Sequence, residues 1–129
     1  MRALPPRSPH VSRHRTLYGI TTCDTVRKAR VWLDENGVAY RFHDFRKDGL
    51  DAARLNGWLD ALGWEAVLNR AGTSFRALPE TERTGLDRDR AAALILANPT
   101  LVKRPVVETG GAVMIGFKPD LYARAFNPG

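Results

Sequence analysis

The first third of the chain changes its hydrophobic pattern twice, and this restricts the possible folds more than any other feature. Residues 16–20 are rich in β-branched and aromatic side chains, which predicts a strand. Residues 24–36 carry apolar side chains at helical spacing and stop at Asn36-Gly37, a typical helix end. Residues 38–45 alternate apolar and polar side chains, which predicts a second strand. A right-handed crossover then places the two strands parallel in one sheet.

A block of helices is predicted in the middle of the chain. Asp51 is a suitable N-cap for a helix that runs through Leu62, and Asp87 is a suitable N-cap for a helix that runs through Ala97. Between these helices, residues 69–78 show no regular hydrophobic period and predict a loop.

The last quarter of the chain predicts a hairpin and a closing helix. Residues 106–108 and 112–115 are short apolar strands joined by a Gly-Gly turn, and residues 119–126 have helical spacing. Strands from both ends of the chain can combine into one sheet, with the hairpin as its antiparallel edge. We therefore predict an α/β fold of the order βαβ…ββα with a mixed four-stranded sheet. It forms a single domain over residues 16–129, with a helical insertion at about residues 51–98.

Composition narrows the class of protein. A length of 129 residues suits one domain, and 43% hydrophobic residues is normal for a globular chain. No apolar run approaches the roughly 20 residues that a transmembrane helix needs. The single cysteine excludes an internal disulfide framework and a cysteine-based zinc site, and the three histidines show no metal-binding spacing with acidic residues. A reactive lone thiol suits a reducing compartment, so we expect a cytoplasmic protein with no metal.

The net charge of +6 is concentrated in an N-terminal arm at residues 1–15, which contains four arginines and no acidic residue. Three prolines within the first nine residues predict that this arm is a disordered extension, and it lacks the apolar centre of a secretory signal. The rest of the chain is only weakly basic. Nucleic-acid binding through the arm is an alternative function, and it predicts an affinity that falls with salt.

Cys23 is the first candidate site residue because it lies where the first strand is predicted to lead into the helix. Backbone N–H groups and the positive end of the helix dipole favour a thiolate there. The basic side chains of Arg27 and Lys28, one turn further on, add to this effect. Thr22 and Asp24 are capping residue types, although the Asp24 carboxylate opposes ionisation of the sulfur unless it is engaged in capping. The alternative is a small buried hydrophobic side chain with no chemistry.

Lys103-Arg104-Pro105 forms the second candidate, directly before a predicted strand. Proline is tolerated at the start of a strand, and a cis bond there would turn the Arg104 side chain toward a neighbouring site. In the predicted topology this strand begins beside Cys23, so the Arg104 guanidinium could hold an anion at the sulfur. The alternative is a solvated Lys-Arg pair before a trans proline. Arg70, in the predicted loop, is a further candidate for contacting the anion.

Longer motifs surround these residues. They are Tyr18-Gly-Ile-Thr-Thr-Cys23-Asp-Thr-Val-Arg-Lys-Ala29, Tyr40-Arg-Phe-His-Asp-Phe-Arg46 with Asp48-Gly49, and Leu62-Gly-Trp-Glu-Ala-Val-Leu-Asn69. With Lys103-Arg104-Pro105 and Gly116-Phe117, these motifs resemble the ArsC/Spx family, and within it the YffB-like branch, over roughly residues 16–126. The resemblance implies a thioredoxin-like fold with a helical insertion. It also implies that Cys23 is the reactive cysteine, Arg104 an active-site anion contact and Pro105 the cis-proline.

The chain departs from the family pattern at two positions. Val26 stands where Spx-type members often carry the second cysteine of a Cys-x-x-Cys switch, which argues against such a switch here. Ala71 aligns with a position that is commonly arginine in the family, and Arg70 lies one residue earlier. The second anion contact is therefore open. Ala29 takes the place of the arginine in a Cys-x₅-Arg motif, which excludes the chemistry of the phosphatase-like arsenate reductases.

The resemblance implies a glutathione-dependent thiol/disulfide oxidoreductase with no bound cofactor and with glutathione as co-substrate. In this hypothesis Cys23 attacks an anionic oxidised small molecule or disulfide, and Arg104, with Arg70 or Lys103, neutralises the charge of the substrate. Two alternatives stay open. One is an arsenate reductase proper, in which the thiolate takes up arsenate and glutathione resolves the adduct. The other is a non-enzymatic, Spx-like module that binds RNA polymerase and regulates transcription.

Overall fold

A mixed four-stranded sheet organises the chain, which confirms the predicted fold class. The computed structural model describes residues 15–126. The strands are β1 (Arg15–Gly19), β2 (Arg41–Asp44), β3 (Val106–Thr109) and β4 (Ala112–Ile115). They lie in the order β2-β1-β3-β4. β1 pairs parallel with β2 and antiparallel with β3, and the β3–β4 hairpin supplies the predicted antiparallel edge.

Helices and short helical turns make up most of the remaining described residues. The longer helices are α1 (Asp24–Glu35), α2 (Ala52–Leu62), α3 (Arg88–Ala97) and α4 (Pro119–Phe126). The single turns are Phe45–Asp48, Trp64–Val67, Thr73–Arg76, Glu80–Arg83 and the 3-10 turn Pro99–Leu101. Across residues 15–126, the helices fall short of the length and apolar character that a membrane span requires.

The chain divides into two compact units. The sheet unit consists of the chain up to Asp44 and from Arg104 onward, and it holds the four strands with α1 and α4. The helical unit is Phe45–Lys103 and holds α2, α3 and the short turns. It is wider than the insertion predicted at about 51–98, because a helical turn begins directly where β2 ends. That residues 16–129 form a single domain stays a prediction.

The core of the sheet unit lies between one face of the sheet and the helices α1 and α4. Leu17 of β1 and Val107 of β3 are paired in the sheet and project into this core. Apolar residues at helical spacing complete it from the two helices, which is the pattern that the sequence showed. They are Val26, Ala29, Leu33, Tyr122 and Phe126.

The end of α1 explains why β2 is shorter than the strand predicted at 38–45. Gly37 adopts a φ of 68°, and its N–H donates to the Asp34 carbonyl while the Val38 N–H donates to the Leu33 carbonyl at 2.9 Å. This pair of hydrogen bonds ends the helix and uses the N–H group of Val38, which is therefore not part of β2. At the other end, Phe45 starts a helical turn, since the Gly49 N–H donates to its carbonyl at 3.0 Å. The strand prediction was therefore too long on both sides.

β1 and α1 approach each other closely at Gly19. A Cβ atom added to Gly19 would lie 2.6 Å from Cγ2 of Val26, a residue that is fully buried in α1. Real Cβ contacts are never this short, so only glycine lets the first turn of α1 pack at this distance. The contact fixes the start of α1 against the end of β1, and the segment between them contains Cys23.

An aromatic cluster holds α4 in the sheet unit. The Tyr122 ring makes edge-on contacts with Trp32, Phe117 and Phe126, with ring centroids 4.8–5.6 Å apart. Its hydroxyl donates to the Gly116 carbonyl at 3.0 Å. Because Tyr122 is almost fully buried, desolvation raises the pKa of its hydroxyl well above the usual value of a tyrosine.

The helical unit confirms both predicted helix caps. The Asp51 carboxylate accepts a hydrogen bond from the Arg54 N–H at 2.7 Å, and the Asp87 carboxylate accepts one from the Arg90 N–H at 2.8 Å. The buried apolar residues of this unit include Leu55, Trp58, Leu59, Val67, Phe75, Ala91 and Ile95.

Two further boundaries differ from the predictions. The loop expected at 69–78 contains the helical turn Thr73–Arg76, because Phe75 is buried and the Arg76 N–H donates to the Gly72 carbonyl at 3.1 Å. A single turn is too short to show a hydrophobic period. Arg15, the last residue of the predicted arm, is the first residue of β1. The rest of the arm lies outside the described residues, so its predicted disorder stays a prediction.

We expect Gly19→Ala to destabilise the protein by about 1–3 kcal/mol, because the new methyl group would push α1 away from β1. Urea unfolding measures the change. Gly57→Ala is the matched control: Gly57 lies inside α2, and an added Cβ would meet no atom within 4 Å. The control should stabilise by about 0.5–1 kcal/mol. Equal effects of the two substitutions would contradict the close approach.

We expect Tyr122→Phe to cost about 1 kcal/mol at neutral pH, because the Gly116 carbonyl loses its donor. The pH dependence has a definite sign. A pKa that is higher in the folded than in the unfolded state stabilises below the unfolded value, about 10, and this contribution is lost as pH rises above it. Urea unfolding at pH 8 and pH 10.5 should therefore show a smaller alkaline loss in Tyr122→Phe than in the wild type. An equal or larger alkaline loss in Tyr122→Phe would refute the argument.

Candidate active site

The site is built at one edge of the sheet in the sheet unit. Tyr18, near the carboxyl end of β1, pairs antiparallel with Val106 at the start of β3, and Val106 pairs with Ile115 at the end of β4. The segments that follow β1, precede β3 and follow β4 therefore meet at the same edge. These segments carry Cys23, Arg104-Pro105 and Gly116-Phe117. The prediction that β3 begins at the edge where Cys23 follows β1 is confirmed.

Cys23 is the N-cap residue of α1. Its backbone is extended, with φ −88° and ψ 124°, and its carbonyl accepts the first helical hydrogen bond from the Arg27 N–H at 3.0 Å. Its side chain makes no capping hydrogen bond to the helix. Cys23 as a residue is partly exposed, although it packs against the core of the sheet unit. Cys23 is therefore not fully buried, and its reactivity stays a prediction.

The first turn of α1 leaves N–H groups available beside Cys23. The N–H groups of Asp24, Thr25 and Val26 precede the first intrahelical bond and have no acceptor within the helix. Together with the helix dipole they make this position favourable for a negative charge. Such a charge can be a thiolate at Cys23 or an anionic group of a ligand bound next to it.

Asp24 does not cap the helix, contrary to the capping role expected for it and for Thr22. As the first residue of α1, Asp24 lies one position beyond the N-cap, and its carboxylate forms an ion pair with Arg27. Both side chains are exposed, so the pair contributes little to stability. It nevertheless offsets a negative charge beside the sulfur. Thr22 is exposed on the turn before Cys23.

Arg104 carries an unsatisfied buried donor. The residue is half-buried, and its Nη1 atom is inaccessible to solvent and has no hydrogen-bond partner among residues 15–126. Buried polar atoms in proteins are almost always hydrogen-bonded, and a guanidinium group pairs best with a carboxylate or a comparable oxyanion. The alternative of a fully solvated Arg104 is wrong, because one of its terminal nitrogens is buried.

The Arg104–Pro105 peptide bond is cis, as considered from the sequence. Pro105 is buried, and its carbonyl accepts a hydrogen bond from the Gly116 N–H at 2.8 Å. Because the Gly116 carbonyl in turn accepts from the Tyr122 hydroxyl, a chain of hydrogen bonds joins the Arg104-Pro105 segment to α4. Sequence reasoning missed the role of Gly116. Its signal was a glycine between a strand and a helix, and Gly116 does adopt a φ of 81°.

Arg70 and Lys103 belong to the helical unit. Arg70 is exposed, and its guanidinium lies over the Trp64 ring, 5.4 Å from the ring centroid. Lys103 is exposed, and its backbone N–H donates to the Val67 carbonyl at 2.8 Å. The sheet unit thus contains Thr22, Cys23, Asp24, Arg104 and Pro105. The other two predicted contacts, Arg70 and Lys103, lie in the helical unit.

Comparisons with known proteins agree with the fold and the motifs. The ArsC family model matches residues 18–125. A solved structure of a protein named YFFB is 53% identical, covers 86% of this chain and 97% of its own, and superposes with a TM-score of 0.84. The solution structure of an arsenate reductase (ArsC) related protein from Brucella melitensis is 49% identical. The match covers 95% of this chain and 99% of that protein and gives a TM-score of 0.73.

Sequence similarity also extends to a regulator. The global transcriptional regulator Spx of Streptococcus mutans is 30% identical over 88% of this chain and 82% of its own length. Because the family model covers most of the chain and the fold and the motifs agree with it, this protein belongs to the ArsC family.

Proposed function

We propose that this protein is a thiol-dependent reductase that uses Cys23 as its nucleophile and glutathione as its external reductant. The observation that carries the proposal is the position of Cys23 as the N-cap of α1, partly exposed and beside unbonded N–H groups. Membership of the ArsC family supports it, as does the likeness to a protein described as arsenate reductase related.

In this proposal Cys23 reacts as a thiolate at the positive end of the α1 dipole, where the Asp24 carboxylate is offset by Arg27. The resulting thiolate attacks the glutathione sulfur of a mixed disulfide. A bond between Cys23 and the glutathione sulfur forms while the substrate disulfide breaks. The electron pair leaves with the substrate thiolate, which takes a proton from water.

A second thiol must then come from outside the chain, because Cys23 is the only cysteine. A free glutathione thiolate attacks the glutathionyl sulfur bound to Cys23. The bond between the two sulfurs breaks, Cys23 leaves as a thiolate, and oxidised glutathione is released. Val26 occupies the position where a Cys-x-x-Cys pair would supply an internal resolving thiol. This absence favours a glutathione-linked cycle over an Spx-like switch.

Arg104 acts as the anion contact in this proposal. Its buried Nη1 lacks an acceptor among the described residues, and a carboxylate of glutathione or an oxygen of arsenate would supply one. Arsenate reduction is the second candidate activity, and the same unbonded donor favours it. The two are separated by assaying turnover of glutathione mixed disulfides and of arsenate, each with glutathione.

We expect incubation with oxidised glutathione to add a single glutathionyl group to the wild-type protein, as measured by intact mass. Cys23→Ser should gain no adduct and should lose reductase activity, because the hydroxyl group is not a comparable nucleophile. Its thermal unfolding should match that of the wild type, which controls for folding. A wild type that forms no adduct, or a Cys23→Ser variant that stays active, would refute the proposal.

We expect Arg104→Met to lower kcat/KM by about 10- to 100-fold, since a hydrogen bond to a charged group contributes about 1.5–3 kcal/mol. Arg124→Met, at an exposed position of α4, is the matched control and should keep full activity.

Stability separates a contact with the substrate from a structural role. Replacing a buried, unsatisfied donor by an apolar side chain of similar length should leave the melting temperature of Arg104→Met unchanged or raise it. A large loss of stability accompanied by a proportional loss of activity would show that Arg104 is structural.

A further inference from the structure

A groove of about 510 Å³ runs along the outer side of α1 in the sheet unit. Its apolar part is formed by Val31, Trp32 and Phe117, and its charged rim by Asp24, Arg27, Lys28 and Glu35. We call it the α1 groove. It was not predicted from the sequence, because its lining joins α1 to the segment after β4.

The apolar part of the α1 groove is exposed but firmly supported. Val31 is 52% exposed and so more exposed than Leu121 and Leu96, the other large apolar side chains at the surface of the described chain. Trp32 and Phe117 rest against the buried Tyr122 ring, with centroids 5.6 and 4.8 Å away. A preformed apolar surface of this kind can bind a ligand side chain without prior rearrangement.

The rim of the α1 groove carries opposite charges at its two ends. Asp24 and Arg27 pair with each other and largely cancel. Lys28 and Glu35 have no ion-pair partner among residues 15–126, and they lie about 10 Å apart along the helix, since α-helices rise about 1.5 Å per residue. The groove is therefore positive toward Cys23 and negative at its far end.

The length and position of the α1 groove indicate an extended ligand. The lining starts at Asp24, directly after Cys23, and reaches Glu35, a span of about 16 Å along the helix. An extended polypeptide covers this distance with about five residues. A single oxyanion would fill only a small part of the volume. The lining of the groove thus begins at the residue that follows Cys23, and its length suits a segment of polypeptide.

We propose that the α1 groove binds the polypeptide that flanks a glutathione-bearing cysteine, so that the substrates are glutathionylated proteins. This inference rests on the proposed function of Cys23. The flanking segment places an apolar side chain on Val31 and Phe117. It places an acidic residue opposite Lys28, and a basic residue, about five positions from the modified cysteine, opposite Glu35.

The chemical step is the one that the proposed function requires. The Cys23 thiolate attacks the glutathione sulfur, the bond between that sulfur and the substrate cysteine breaks, and the substrate protein leaves as a thiolate that is protonated by water. Free glutathione then restores Cys23 and is released as oxidised glutathione. The α1 groove acts before this step, by orienting the protein side of the disulfide.

The test compares a small substrate with peptides. The small substrate is the mixed disulfide of glutathione and 2-mercaptoethanol, which has no flanking residues. The peptides carry a glutathionylated cysteine, an adjacent leucine and either lysine or glutamate five positions away, on each side of the cysteine in turn. For the wild type we expect a kcat/KM at least about fivefold higher for the lysine peptide in one of the two orientations.

Two variants of the α1 groove and one control complete the test. We expect Val31→Ser to lower kcat/KM for the lysine peptide about fivefold, through lost apolar contact, with no change for the small substrate. Leu121→Ser, at a similarly exposed apolar position of α4 outside the groove, should change neither. We expect Glu35→Lys to reverse the preference between the lysine and glutamate peptides, also without effect on the small substrate.

Each other outcome overturns a distinct claim. Wild-type turnover of the small substrate with no discrimination between the peptides, or with no effect of Val31→Ser and Glu35→Lys, would refute peptide binding in the α1 groove and leave the proposed function standing. Equal losses on both kinds of substrate would show a structural effect and would also refute it. No wild-type turnover of any mixed disulfide would overturn the proposed function, and this inference with it.

Discussion

The close contact between Gly19 and Val26 is the constraint on which the site depends. It lets α1 begin against the end of β1, with only a short turn between them. That turn cannot bury its cysteine completely, because the residue occupies the N-cap position rather than a position on the apolar face of the helix. The tight packing contact therefore positions the turn that contains Cys23, and the N-cap position leaves this residue partly exposed.

A second set of contacts brings Arg104, the proposed anion contact, to the same edge of the sheet. β3 runs antiparallel to β1, so the segment that precedes β3 lies at the edge where β1 ends. The Gly116 N–H donates to the Pro105 carbonyl, and the Tyr122 hydroxyl donates to the Gly116 carbonyl. These hydrogen bonds connect the segment to the aromatic cluster around Tyr122 of α4. Arg104 is thus attached to a well-supported backbone, while its Nη1 has no acceptor in the described part of the chain. A rigid support with an unsatisfied donor is the arrangement expected of a binding residue.

The presence of a single cysteine suggests why a groove along α1 would be useful. An enzyme with one thiol reacts with two external molecules in turn, an oxidised substrate and a reducing thiol. It must distinguish its oxidised substrate from other oxidised molecules. Helix N–H groups and a guanidinium recognise negative charge, which many small thiols and oxyanions share. We propose that the α1 groove, which is apolar with opposite charges at its two ends, recognises a longer molecule by shape and by charge order. In this proposal, chemistry and selectivity belong to neighbouring but separate surfaces of α1.

Local patterns in the sequence determined most of the elements, because each depends on neighbouring residues. The β-branched run of β1, the Asn36-Gly37 end of α1, the caps Asp51 and Asp87, and the Gly-Gly hairpin were all predictable in this way. Two of the errors fell where long-range burial decides, at Phe45 and Phe75, whose single helical turns are too short to show a period.

For the site, the sequence by itself determined the chemistry available: one thiol at a strand-to-helix junction and an Arg-Pro pair before a strand. Only the tertiary structure decided that Arg104 keeps a buried nitrogen with no acceptor among residues 15–126, and that Phe117 lines a groove together with α1. The physical reason is that burial and pairing depend on which distant segments come together, and the order of residues does not state this.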